Sequence, residues 1–184
     1  MDFLAKVFKR LVYEKRRLVF YGYDPKQGDG RADPQIQVYD SWEAIPPHFR
    51  KIAAPAPWRN TVYYRMKRGQ ARLLAYSEDG MRLGAYVWLQ DWKPFLRKFG
   101  AIADRGIMMG YGWTAPAMRR RGLFGRMLAH SLFVCPKDRP IIGHTTPDNM
   151  AIRHALQKVG FYSLGEWDLR QWFGMCVRLR RISP

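Results

Sequence analysis

The 184-residue sequence is poor in cysteine, poor in acid and without a long apolar run. Two cysteines, Cys135 and Cys176, are too few for a disulfide framework, and neither sits beside a base or a ligand pair that would make it a nucleophile or a metal ligand. A reducing, cytoplasmic setting is the expectation. No apolar stretch approaches the ~20 residues that a spanning helix needs, and Met1-Asp2-Phe3-Leu4 lacks the basic-then-apolar order of a signal peptide. Fifteen acids face 32 lysines and arginines, a net charge of +17. Such an imbalance calls for a polyanionic partner, whether a phosphorylated cofactor, nucleic acid or an anionic membrane face, and does not choose among them. With no repeat, low-complexity tract or linker, residues 1–184 are expected to form one domain, a size that buries about 70% of the unfolded surface.

What is present is a strand running through a basic, glycine-bearing loop into a helix, from Met108 to Val134. Ile107–Thr114 reads as the strand, and Pro136 ends the helix near Val134. The loop carries Arg119, Arg120 and Arg121 immediately before Gly122, with Gly125 just beyond. A helix start presents backbone N–H groups without intrahelical partners together with the positive end of the dipole. Glycine lets an anion approach that backbone, and arginine adds forked donors suited to phosphate oxygens. The residues alone leave two readings open, an anion site and a solvated basic loop.

Elsewhere, apolar residues at helical spacing with a basic opposite face predict an amphipathic helix over Asp2–Arg17, either laid on the core or resting on an anionic membrane. A strand follows to Tyr23, then loop chemistry from Lys26 to Pro34 and a brief extended piece at Ile36–Val38. Asp40 or Ser41 can cap a short helix, Pro46-Pro47 interrupts it before a piece over His48–Ala54, and Trp58–Lys67 reads as a helix closed by Gly69. Asp79-Gly80 marks a hairpin within Ala71–Asp91. Pro140–Thr145 reads as a strand, Thr146-Pro147 as the start of a helix ended by Gly160, and Phe161–Trp167 and Trp172–Leu179 as two last strands around Asp168.

Two motifs in this order carry a resemblance. Pro116, Arg119 and Gly122 match the pattern Arg/Gln-x-x-Gly-x-Gly/Ala, with Phe124 where Gly or Ala stands. Asn149, Ala151, Lys158, Gly160 and Phe161 approximate Asn-x-Ala-Ser-x-x-x-x-x-Lys-x-Gly-Phe, with Ile152 where serine is frequent. The chain resembles the Gcn5-related N-acetyltransferase (GNAT) superfamily, best over 71–179 and only coarsely over 1–57. The resemblance implies an α/β (α+β) fold with a mixed, largely antiparallel central sheet flanked by helices. It further implies acetyl-CoA as acyl donor, a small-molecule amine as acceptor and direct attack on the thioester. An amino sugar of a surface-polysaccharide pathway is the acceptor it suggests.

The cofactor residues implied are Trp113, Thr114, Arg119, Arg120, Arg121, Gly122, Leu123, Phe124, Gly125, Arg126 and Asn149. Many relatives carry a tyrosine acid seven residues after the asparagine, and here Leu156 stands there. His144 and Tyr111 are the catalytic candidates: His144 as a base or a structural histidine, Tyr111 as an acid or a core residue. Asp148 is a base or a helix-start carboxylate, His130 and His154 fall on helices away from the expected centre, and no metal site is expected. The competing class is a non-catalytic module of this fold whose basic surface binds nucleic acid or membrane, although no defined nucleic-acid motif is present.

Overall fold

The computed structural model describes residues 13–28, 30–55, 58–172 and 175–183. In chain order the elements are β1 (Tyr13–Tyr23), β2 (Ile36–Tyr39), α1 (Pro47–Ala53), α2 (Trp58–Lys67), β3 (Ala71–Tyr76), β4 (Ala85–Asp91), α3 (Leu96–Phe99) and β5 (Ile107–Thr114). They continue with α4 (Leu123–Val134), β6 (Ile141–Thr145), α5 (Met150–Lys158), β7 (Tyr162–Trp172) and β8 (Met175–Ser183). The β2–β3, β3–β4, β4–β5, β1–β7 and β7–β8 ladders are all antiparallel, so the fold is a mixed α/β one with largely antiparallel pairing and flanking helices. Contacts gather the residues into two compact units, one of Asp24–Asp91 with Ile107–Ile141, the other of the described residues up to Tyr23, Trp92–Gly106 and those from Ile142.

In the first of these units the strand order is β2-β3-β4-β5. The β3–β4 hairpin is buried along almost its whole length, as strands covered on both faces must be. Leu73, Ala75, Tyr86 and Trp88 point to one face and pack with Phe49 and Ala53 of α1 and Val62 and Met66 of α2. The Trp88 indole N–H donates to Ala53 O at 2.8 Å, so the largest side chain of this core leaves no orphaned donor. Helix α4 lies against β4 and β3 with Met127, Leu128 and Leu132 buried. Helix α2 closes as expected, with Gly69 N–H donating to Met66 O (2.9 Å) and Gln70 N–H to Arg65 O (2.8 Å).

Residues 30–35 strap α4. Arg31 N–H donates to Ala129 O at 3.1 Å, and a Cβ placed on Gly30 would stand 2.0 Å from Phe133 N and 2.3 Å from Ala129 O. Backbone meets backbone there, and only glycine fits.

In the other unit the order is β6-β1-β7-β8. Phe20, Phe99 and Trp92 are buried together, with the Phe20 and Phe99 rings 5.2 Å apart and edge-on. Helix α5 is tied to β1 through Arg153, whose Nε donates to the Tyr21 hydroxyl at 3.1 Å.

Four expectations need correction. Tyr13–Arg17 belong to β1 rather than a helix, because pairing from Tyr13↔Trp172 to Arg17↔Asp168 overrides local helical periodicity; the rest of that expected helix, 2–12, lies outside the described residues. Residues 41–45 form turns instead of a capped helix, with Ala44 N–H donating to Ser41 Oγ at 3.3 Å. Helix α5 is capped by Asn149, whose Oδ1 accepts from Ile152 N–H at 3.3 Å, and not by Thr146. Asp168 lies inside β7 rather than between two strands.

Gly30→Ala is expected to lower stability by about 1–3 kcal/mol, the usual cost of forcing atoms into a packed contact. Thermal unfolding should then fall by about 3–10 °C for a chain of this length. An unchanged midpoint would show that the strap does not bear on α4.

Candidate functional site

The loop between β5 and α4 is fixed at its entry. Ala115 N–H donates to Gly84 O (2.8 Å), anchoring the loop to the β3–β4 hairpin, and Met118 N–H donates to Ala115 O (2.8 Å) within a single turn over Pro116–Met118. Arg120 then takes φ 65° and Gly122 φ 72°. A left-handed conformation costs a non-glycine residue roughly 1–2 kcal/mol, so Arg120 stores strain at this turn. Gly122 is the N-cap of α4 and adopts that conformation without penalty.

This geometry leaves the helix start uncapped. Among the described residues no side chain caps it, no acid stands in its first turn, and Arg126 N–H, to Gly122 O at 3.2 Å, is the first amide of the helix to bond back. The N–H groups of Leu123, Phe124 and Gly125 precede that bond. A Cβ added to Gly122 or Gly125 would meet nothing within 4 Å, so there is open room above these amides for an anion. Arg119, Arg120 and Arg121 are exposed around it. Arg119 Nε donates to Thr114 O at 3.3 Å, and Arg121 stands 3.6 Å from Glu78 in a surface pair that contributes little. The loop can hold a phosphate-bearing ligand by backbone, dipole and guanidinium together.

Arg126 is differently placed from its expected role. Its Nε and Nη2 donate to the Asp33 carboxylate at 2.6 and 2.9 Å, Nη2 also donates to Gln35 Oε1 at 2.8 Å, and the guanidinium lies 4.8 Å from the Tyr76 ring centre. It clamps the strap onto α4. His130, which the sequence leaves as a bystander, completes the clamp: its Nδ1 accepts Asp33 N–H at 3.0 Å, and desolvation holds its pKa below the usual value, in the neutral form this bond needs. No sequence signal marks a mid-helix histidine 97 positions from its partner.

The β4–β5 register slips between Tyr86 and Trp88, so β5 spends one more residue than β4 at Tyr111–Gly112. Tyr111, at φ 52° and 42% exposed, is turned out by this bulge. Trp113 stacks on Tyr86 with centroids 5.8 Å apart and packs against the core, while Thr114 ends the strand. A Cβ on Gly112 would stand 3.4 Å from the edge of Phe124, so the Phe124 ring lies beside the bulge of β5.

Two further expected residues lie in the other unit. His144 keeps an exposed edge, but its ring is crowded by Phe20 (5.3 Å) and Phe99 (6.1 Å). Desolvation, reinforced by the charges of Lys98 and Arg16, lowers its pKa to about 4. It is therefore neutral at pH 7 and a weak base. Asn149 serves as the α5 cap, and Leu156, in the tyrosine position, is buried at 2% exposure.

Sequence reading also misses Gln90, buried at 1% exposure on β4. Its Oε1 accepts from Arg65 Nη1, and its Nε2 has no hydrogen-bond partner among the described residues.

No protein-family model and no curated protein matches the sequence. Solved structures do. A putative GNAT-family acetyltransferase from Novosphingobium aromaticivorans superposes with a TM-score of 0.60 at 15% identity, over 92% of this chain and 66% of that one. A GNAT-family acetyltransferase from Colwellia psychrerythraea gives 0.54 at 16%, over 93% and 61%. A region described as a GCN5-related glucosamine N-acetyltransferase, within a fungal multi-domain β-N-acetylglucosaminidase, gives 0.55 at 12%, over 91% and 22%. The chain spans less than two thirds of each of these proteins, and the likeness establishes a GNAT fold.

The Asp33–Arg126 clamp has a pH signature. The Arg126 hydrogen bond, more than any other influence, holds the Asp33 carboxyl below its usual pKa. A lowered carboxylate contributes fully above its unfolded value of about 3.9, and the contribution is lost as pH falls through the folded value. Asp33→Asn should therefore be less stable than the native chain at pH 7, with the gap closing below pH ~4. Urea unfolding at both pH values measures this; a gap independent of pH would show that the carboxylate charge is not what Arg126 holds.

Proposed function

We propose that the chain transfers an acetyl group from acetyl-CoA to a primary amine of a small molecule. The observation that carries this reading is the uncapped start of α4 beneath the Arg119–Arg121 loop, in a fold shared with GNAT acetyltransferases. The amides of Leu123, Phe124 and Gly125 and the side chains of Arg119, Arg120 and Arg121 would hold the pyrophosphate of the cofactor, and β5 from Gly110 to Thr114 would flank its pantetheine arm. An anion on a helix start gains about 0.3–1 kcal/mol from the dipole, up to ~2 when partly buried, before the arginines add forked bonds.

When bound, acetyl-CoA supplies an acetyl thioester open to attack by a neutral amine. The chain's own contribution is positioning, with the open start of α4 and the Arg119–Arg121 loop fixing one end of the donor and the β5 bulge presenting Tyr111. As the amine nitrogen bonds to the acetyl carbon and the C–S bond breaks, Tyr111, turned outward by the bulge, is the residue we assign to protonating the thiolate that would leave. His144, lowered to about 4, stays neutral through the working range and is the weaker candidate. Among acceptors we put an amino sugar first, in keeping with the glucosamine activity ascribed to the fungal region above.

A thiol-release assay with acetyl-CoA and a panel of small amines, glucosamine among them, tests the activity. Gly122→Asp is the sharper probe: aspartate is among the residues that enter the left-handed conformation at least cost and nothing stands within 4 Å of its Cβ, so the fold should be kept while its carboxylate stands near the anion position. Lost acetyl-CoA affinity with an intact unfolding transition is expected; unchanged affinity would sink the assignment of the loop. Tyr111→Phe should lower kcat about 10²–10⁴-fold with affinity retained, the range for losing a general acid, and an unaltered kcat would remove Tyr111 from the mechanism.

A further inference from the structure

The solvent face of β1, β7 and β8 carries charge in a pattern that the cofactor loop does not explain. Register sets Lys15 opposite Arg170 and Arg170 opposite Arg178, and in the next row Arg17 opposite Asp168 and Asp168 opposite Arg180. Residues directly opposite share a face with Cβ atoms about 4.5–5.5 Å apart, and like charges so placed repel. The row Lys15–Arg170–Arg178 is therefore three cations side by side, on strands that fold despite it. Lys15, Arg17, Arg178 and Arg180 are exposed, and the acid of the second row, Asp168, is already engaged by Arg17 at 3.7 Å. Trp172, two residues beyond Arg170 and so on the same face, is 51% exposed.

We propose that this face binds single-stranded nucleic acid. The repulsion across the first row is relieved by an anion laid along it, and strands hold same-face residues about 6.6–6.8 Å apart, a rigid ladder of donors for a polymer with a repeating phosphate. Four of the five cations are arginines, whose flat forks bond phosphate in pairs and also stack on bases. The exposed indole offers a platform to a base that is free of its complement, which selects a single strand over a duplex. An anionic bilayer would draw on apolar area sunk among its acyl chains, and the middle of this face is guanidinium. Charges on the β8 edge also deter strand-to-strand association, but that purpose does not require cations to face cations across the inner ladder.

The test is fluorescence anisotropy of a labelled single-stranded RNA of about 20 nucleotides with the full chain, across a salt series. Sedimentation with phosphatidylserine-containing vesicles runs in parallel. The native chain should bind RNA more tightly than vesicles. The triple change Arg170→Gln, Arg178→Gln, Arg180→Gln should weaken RNA binding about a hundredfold near 0.1 M salt and make the slope of log affinity against log salt shallower by about 2, as expected for three single-strand phosphate contacts. Trp172→Ala should weaken binding about tenfold with the salt slope unchanged, as loss of a stacking platform and not of a phosphate contact. Far-ultraviolet circular dichroism confirms folding of each variant. RNA binding that is absent, that ignores the triple change in a folded protein, or that is surpassed by vesicle binding overturns the proposal.

Discussion

A helix start without a cap is the constraint around which Asp24–Asp91 and Ile107–Ile141 are arranged. Helix α4 must bury Met127, Leu128 and Leu132 to stay in place, yet its first turn carries neither a capping side chain nor an acid. With glycine as its N-cap the helix forgoes about a few tenths of a kcal/mol against a serine or aspartate cap, and its first amides are left open. That deficit persists because the elements around it hold α4 from other directions: β4 and β3 beneath, the strap above, and the hairpin contact from Ala115 to Gly84 at the loop's entry.

The arginines divide their work accordingly. Arg126, one turn into the helix, is turned away from the open amides by a bidentate bond to Asp33, and its charge is spent inside the protein. Arg119, Arg120 and Arg121 keep theirs outward. Arg120 does so in a backbone conformation that costs it roughly 1–2 kcal/mol, comparable to what a helix dipole returns when an anion binds. The site is thus strained before binding, and the strain sits where an anion would be held.

Much of this was legible in the sequence. The limits of β5, α2 and the end of α4 follow from local rules: a proline after a helix, a Gly69 closure and a strand running into a basic glycine turn. Most of the misses share a cause, dependence on partners distant in the chain. Tyr13–Arg17 has a helical pattern but is a strand because β7 pairs with it. Arg126 reads as a ligand residue until Asp33, 93 positions away, takes it. His130 has no local signature at all, because its partner Asp33 lies 97 positions away. The choice of Asn149 over Thr146 as cap is a local matter of which oxygen reaches the third amide, and both residues suit the position by type.

The most direct test of the open helix start is to follow the backbone amides themselves. In nitrogen-15 NMR of the full chain, acetyl-CoA should move the Leu123, Phe124 and Gly125 amide signals most, and added salt should reverse the shift. Binding that leaves those three amides unmoved, or no binding at all, would contradict the account.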